Sequence, residues 1–169
     1  MAHAGRLSAH AGEFEKIIAA HYEEIYRFCC WKIRNPAEAQ DITQDTFIHF
    51  MNAAETYADI ERPKALLYTI AKNLCLNWLG RTRPASLDAF EAGNTPSVKD
   101  FTDESVQKAD LCNAVSALPD NQQEILLLRY GQGLKVNEIA EILGLSRFQV
   151  MYQVRSALRQ LRKSLRRED

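Results

Sequence analysis

Apolar residues along this chain recur at three- and four-residue intervals, and no run of alternating β-branched residues competes, so every patterned segment reads as helix. A first helix is predicted from about Glu13 to Arg34, with Phe14, Ile17, Ile18, Tyr22, Ile25, Phe28 and Cys29 at helical spacing. Asn35-Pro36 ends it, because the residue before a proline is biased out of the helical region, and Pro36 suits the first turn of a second helix reaching about Ala54. Ile42, Phe47, Ile48, Phe50 and Met51 supply that helix's apolar content, while Asp41, Gln44 and Asp45 make a separate acidic face. A third helix begins near Arg62-Pro63, runs to about Gly80 and carries Leu66, Leu67, Ile70, Ala71, Leu74, Cys75 and Trp78.

Between Arg83 and Thr102 the pattern dissolves into Pro84, Ser86, Gly93, Asn94, Thr95, Pro96 and Ser97, the composition of a flexible linker. Helical spacing resumes near Asp103 to Ala117, Pro119 to Tyr130, Val136 to Leu143 and Ser146 to Arg167, with Gly131-Gln132-Gly133 closing the second of these. The expected architecture is therefore all-α: two small helical domains, residues 13–83 and 103–169, joined by a linker over 84–102.

The final pair of helices has the form of a helix-turn-helix. Val136, Ile139, Ala140 and Leu143 share one face of the first; Ala140 is small where crossing helices must approach, Gly144 can take a left-handed turn, and Ser146 can cap the next helix. The second helix strings Val150, Val154, Leu158, Leu161 and Leu165 along one stripe, leaving Arg147, Gln149, Gln153, Arg155, Arg159, Arg162, Lys163 and Arg166 off it. Such a helix can pack with one side and meet phosphates and base edges with the other; the blander alternative is a hairpin with a solvated basic face.

Composition sharpens this picture. The formal net charge of -1 over 169 residues conceals an asymmetry: residues 1–85 balance, 86–124 carry a net -6 and 125–169 a net +5. A basic carboxy-terminal part suits a nucleic-acid binder, and the acidic middle disfavours indiscriminate coating of DNA. Cys29, Cys30, Cys75 and Cys112 lack paired C-x-x-C spacing, and His3, His10, His21 and His49 are scattered, so no metal site is expected and the cysteines read as small core residues. No phosphate-binding glycine loop or nucleophile–base constellation occurs, so neither catalysis nor a cofactor is expected. No apolar run suits a signal peptide or membrane span, which predicts a cytoplasmic protein without direct membrane insertion.

Three stretches, in order, resemble the extracytoplasmic-function (ECF) sigma factors of bacterial RNA polymerase: Ala39-Gln40-Asp41-Ile42-Thr43-Gln44-Asp45-Thr46-Phe47, Leu66-Leu67-Tyr68-Thr69-Ile70-Ala71-Lys72-Asn73, and Ala117-Leu118-Pro119 through Leu128-Arg129-Tyr130 into Asn137-Glu138-Ile139-Ala140. The run from Arg62 to Asn73 looks most like the iron-uptake, ferric-citrate-type branch. The resemblance implies an alternative sigma factor without catalytic residues, whose partners are core RNA polymerase, promoter DNA and an anti-sigma factor. It implies that Asp41, Gln44 and Asp45 bind the clamp helices of the polymerase, with Phe47 anchoring the helix in its own domain; without it, Asp41 and Asp45 read as a solvated face. It also implies that the third helix and the preceding loop, residues 52–61, recognise and melt the minus-ten element through Tyr57, Tyr68, Lys72, Asn73, Asn77 and Arg81. Aromatic faces can stack unpaired bases, amides can read a base edge and cations neutralise the strand. Trp78 suits core burial better.

The minus-thirty-five element would be read by Arg147, Gln149, Tyr152, Gln153, Arg155 and Arg159. Here the chain departs from the family pattern: Phe148-Gln149 stands where a Gly-Thr pair is usual, and Met151, Gln153 and Ser156 stand where cations are usual, removing phosphate contacts. Two rival readings are a helix-turn-helix regulator acting as a dimer and a helical adaptor binding only protein. The first leaves the acidic second helix and the aromatic, cationic third helix unexplained.

Overall fold

In a computed structural model, the described residues are 3–56, 62–82 and 106–167, with side chains over 11–54, 62–82 and 110–166; the expected linker and Tyr57 lie outside them. The chain divides into two compact units, residues 1–94 and 95–169, and every regular element among the described residues is helical.

The first unit packs three helices mutually: α1 (His3–Ile33), α2 (Pro36–Thr56) and α3 (Pro63–Thr82). Its core takes Ile25, Phe28 and Cys29 of α1, Ile42, Phe47 and Phe50 of α2 and Leu67, Ala71 and Cys75 of α3 from the stripes predicted by spacing and adds Ile33, Ala39 and Ala65, while Leu66, Ile70, Leu74 and Trp78 are half-buried. Tyr22 stacks on Phe47 at 5.8 Å, fastening α2 to α1. Helix α1 begins well before Glu13, because a helix end needs no apolar stripe to continue through small residues. Thr43 and Thr46 are buried, and their hydroxyls donate to the carbonyls of Ala39 and Ile42 one turn back, which satisfies them inside the helix. The Trp78 indole N–H donates to the Glu38 carboxylate at 3.0 Å, tying α3 to the start of α2 and using its polar handle within the unit.

The second unit gathers α4 (Val106–Ser116), α5 (Asp120–Leu126) and α6 (Val136–Leu143) around α7 (Arg147–Arg167). Leu118, Leu126, Ala157 and Leu161 form one buried cluster with Ala114, Val115 and Leu158 against it. The helix expected to run unbroken to Tyr130 instead widens into a π-turn over Leu127–Gly131. The Leu134 N–H then donates to the Leu128 carbonyl at 3.0 Å and the Arg129 guanidinium to the Leu134 carbonyl at 2.9 Å, fixing the approach to α6. Gly144, at φ 66, supplies the left-handed stop after α6 that the turn requires. Two short helices thus fix the angle at which α7 leaves the unit.

Candidate nucleic-acid and polymerase interface

Helix α2 has two unlike sides. Ala39, Ile42, Thr43, Thr46, Phe47 and Phe50 are buried, whereas Gln40, Asp41, Gln44, Asp45, Ile48, His49 and Asn52 are exposed. Asp41, Gln44 and Asp45 therefore share one outward face at helical spacing, carrying carboxylate and amide acceptors for a basic partner. Ile48, part of the apolar content of this helix, lies on that face with 55% exposure. It follows Gln44 by one turn, so an apolar side chain sits within the acidic patch; its spacing from Asp41 and Gln44 was the available signal.

On α3, Asn73, Leu76, Asn77, Gly80 and Arg81 form an exposed stripe, and Lys72 beside it is half-buried. Four of the expected minus-ten residues, Lys72, Asn73, Asn77 and Arg81, are thereby brought to one side of a helix. Tyr68 is not among them. It is 0% exposed, its ring edge-on to Phe28 at 5.3 Å, and its hydroxyl has no hydrogen-bond partner among the described residues. Burial, with Glu24 and Cys29 nearby, pushes its phenol far above the usual range. A ring so enclosed has no face left for a base, so Tyr68 belongs to the core. The signal was present: Tyr68 shares its stripe with Ala71 and Cys75.

Helix α7 opens with a reciprocal cap. The Ser146 hydroxyl accepts from the Gln149 backbone N–H at 3.1 Å, and the Gln149 side-chain oxygen accepts from the Ser146 N–H at 2.8 Å. Gln149, expected to read a base edge, thus has its acceptor engaged at the helix start; the Ser-x-x-Gln spacing announces it. Gln153 is also drawn inward. Its side-chain oxygen accepts from the buried Gln122 of α5 at 3.0 Å, and Gln122 further donates to Ser156 and accepts from Gln160. Two of the departures from the family pattern, Gln153 and Ser156, therefore build an amide–hydroxyl cluster holding α5 to α7. Arg147, Tyr152, Arg155 and Arg159 remain exposed, as do Arg162, Lys163 and Arg166.

No group of three or more His, Cys, Asp or Glu side chains is placed to hold a metal ion among the described residues. Cys29 and Cys75 are buried neighbours, and a hydrogen bond from Cys75 pulls the Cys29 thiol below its usual range against the effect of burial.

Both units match known protein families. Residues 17–84 match Sigma-70 region 2 and residues 114–163 match Sigma-70 region 4. The chain is similar to the ECF RNA polymerase sigma factor SigW of Bacillus subtilis, 30% identical over 167 residues, covering 90% of this chain and 89% of SigW. It is also similar to the RNA polymerase sigma factor YlaC of Bacillus subtilis, 26% identical over 162 residues, covering 92% of this chain and 94% of YlaC. Among solved structures, the sigma factor RpoE of Bartonella quintana, determined with the anti-sigma factor NepR, superposes with a TM-score of 0.65 at 18% identity, covering 91% of this chain and 97% of that one. The chain thus belongs to the ECF sigma factors, the two-region family of alternative RNA polymerase specificity subunits.

Proposed function

We propose a division of this sigma factor's work between its two units, residues 13–83 engaging core polymerase and the minus-ten element and residues 103–169 the minus-thirty-five element. The observation that carries it is the two-sidedness of α2, whose acidic face takes no part in the core that its other face fills. Asp41, Gln44 and Asp45 meet basic groups of the polymerase clamp helices, and the exposed stripe of α3 receives the opened non-template strand. There Lys72 and Arg81 neutralise phosphates while Asn73 and Asn77 read bases that have left the stack. The part of Tyr57 rests on the family resemblance alone. In the second unit, α7 enters the major groove by its amino-terminal turns.

Sigma factors are not enzymes, and nucleotide chemistry stays with the polymerase. Among the described residues no helix is long and apolar enough to cross a membrane, and we place the protein in the cytoplasm with its polymerase. An anti-sigma factor holds it inactive. The exposed apolar residues on α2, α3 and α7 offer surface for such a partner, and the structurally similar RpoE was captured with one. The run Arg62 to Asn73 supports a place in the iron-uptake branch.

The test is run-off transcription with purified core polymerase, comparing the native chain with Asp41→Lys/Asp45→Lys. Two like-charge contacts in place of two attractive ones should cost several kcal/mol of polymerase affinity, with little change in folding because both carboxylates are exposed. Core affinity and promoter-dependent transcripts unchanged by the double replacement would remove this face from the account.

A further inference from the structure

The outward face of α7 changes character along its length. Opposite the buried Val150, Ala157 and Leu161, its first two turns present Phe148 at 85% exposure, Met151 at 36% and Tyr152 at 69%. The same face continues into Arg155, Arg159, Arg162 and Arg166, all exposed. On a helix, positions three, four and seven apart lie in one line, so this is a single stripe with an apolar tip and a basic shaft. Exposing a phenylalanine to water at the tip of a charged helix brings the fold nothing: Phe148 stands almost wholly in solvent, and the reciprocal cap of Ser146 and Gln149 holds the turn without it.

We propose that Phe148 and Met151, with Tyr152 beside them, read thymine methyl groups in the major groove of the minus-thirty-five element. This rests on α7 being the reading helix. Charge selects the occupant: four arginines continuing the same stripe call for phosphates on either side of the groove, and a duplex supplies them at the spacing of a helix seated in it. Within the groove, thymine alone among the four bases offers a methyl group, on its C5 edge, and an apolar side chain gains by covering it. Phe148 and Met151 fall one turn apart, within reach of neighbouring base pairs, while Gln149 and Gln153, the polar residues flanking the tip, have their acceptors engaged by other groups of the protein. Specificity is thereby shifted from hydrogen bonds toward methyl contact, and affinity toward the arginine shaft.

The experiment uses holoenzyme reconstituted from the full chain and core RNA polymerase. A duplex library randomised over the upstream element is selected for binding, and the selected duplex is remade with deoxyuridine at single thymines, which removes the methyl and keeps the pairing. The expected result is thymine enrichment at adjacent positions, and about three- to five-fold weaker binding for each deoxyuridine there, the worth of one buried methyl. In Phe148→Ala/Met151→Ala that thymine-to-deoxyuridine ratio should fall to about one, with overall affinity reduced and the fold retained by circular dichroism. Selection without thymine enrichment, a ratio near one for the native chain, or an undiminished ratio in the double variant would overturn the proposal. So would a double variant that binds DNA normally but loses association with a second copy or another protein. If the native holoenzyme were indifferent to the upstream element altogether, the reading of α7 as the promoter-reading helix would fail first.

Discussion

The reciprocal cap at the start of α7 gives the sharpest separation between holding a helix and reading DNA with it. Ser146→Ala removes the side-chain acceptor of the Gln149 N–H, a change that costs about 1 kcal/mol at a helix start. Gln149→Ala removes only the acceptor of the Ser146 N–H; that group is exposed and rehydrates, so the loss is nearer ~0.5 kcal/mol. Gln149→Glu keeps the acceptor and adds an anion beside the positive end of the helix, a gain of about 0.3–1 kcal/mol for the free chain. Amide hydrogen exchange in the full chain reports these directly: protection over residues 146–150 should be greatest in Gln149→Glu, then fall through the native chain and Gln149→Ala to Ser146→Ala. Upstream-element binding measured alongside should show Gln149→Ala weakening all sequences alike by no more than about threefold, the affinity equivalent of a frayed first turn. The assignment of Gln149 as a cap fails if Gln149→Ala leaves protection untouched while changing preference at one base pair by about 1–3 kcal/mol, the signature of a side chain reading a base edge.

Two further outcomes follow from the first unit. Tyr68→Phe deletes a buried hydroxyl that has no partner among the described residues and keeps the ring against Phe28, so the unit should gain about 1 kcal/mol in denaturant unfolding followed by Trp31 and Trp78 fluorescence; a loss would mean that the hydroxyl is satisfied. Ile48→Lys should leave folding unchanged yet weaken core polymerase binding about tenfold or more by titration, since an apolar side chain ringed by acceptors is the composition of an interface anchor; equal affinity would return Ile48 to ordinary solvent exposure.

The helices were legible wherever an apolar stripe and its punctuation coincided. Pro36, Pro63 and Gly144 each stand at an element boundary, and α2, α3, α6 and α7 lie where the spacing puts them. Position says more than residue type: Tyr68 shares the buried stripe of Ala71 and Cys75 although an aromatic ring can serve as a base platform, and Ile48 lies one turn beyond Gln44 on the exposed face although it is apolar. The π-turn at Leu127–Gly131 left no trace in the pattern, since one extra residue per turn alters neither composition nor the next capping signal. In the candidate site, the acidic face of α2 and the cations of α7 were legible as charge. The cap formed by Gln149 was legible in the Ser-x-x-Gln spacing, whereas the engagement of Gln153 was not, because an amide serves equally as reader or clasp and only its neighbours decide.

The cluster of Gln122, Gln153, Ser156 and Gln160 has a consequence for how this chain behaves as ionic strength changes. All four groups are neutral, and none titrates in the working range of a cell. The joint between α5 and α7 is therefore indifferent to salt: if Arg155, Arg159 and Arg162 hold phosphates as proposed, salt loosens that grip without loosening the joint that aims them. On that proposal, the salt dependence of the upstream contact counts the phosphates met by α7, and the helix keeps one face toward DNA as ionic strength changes.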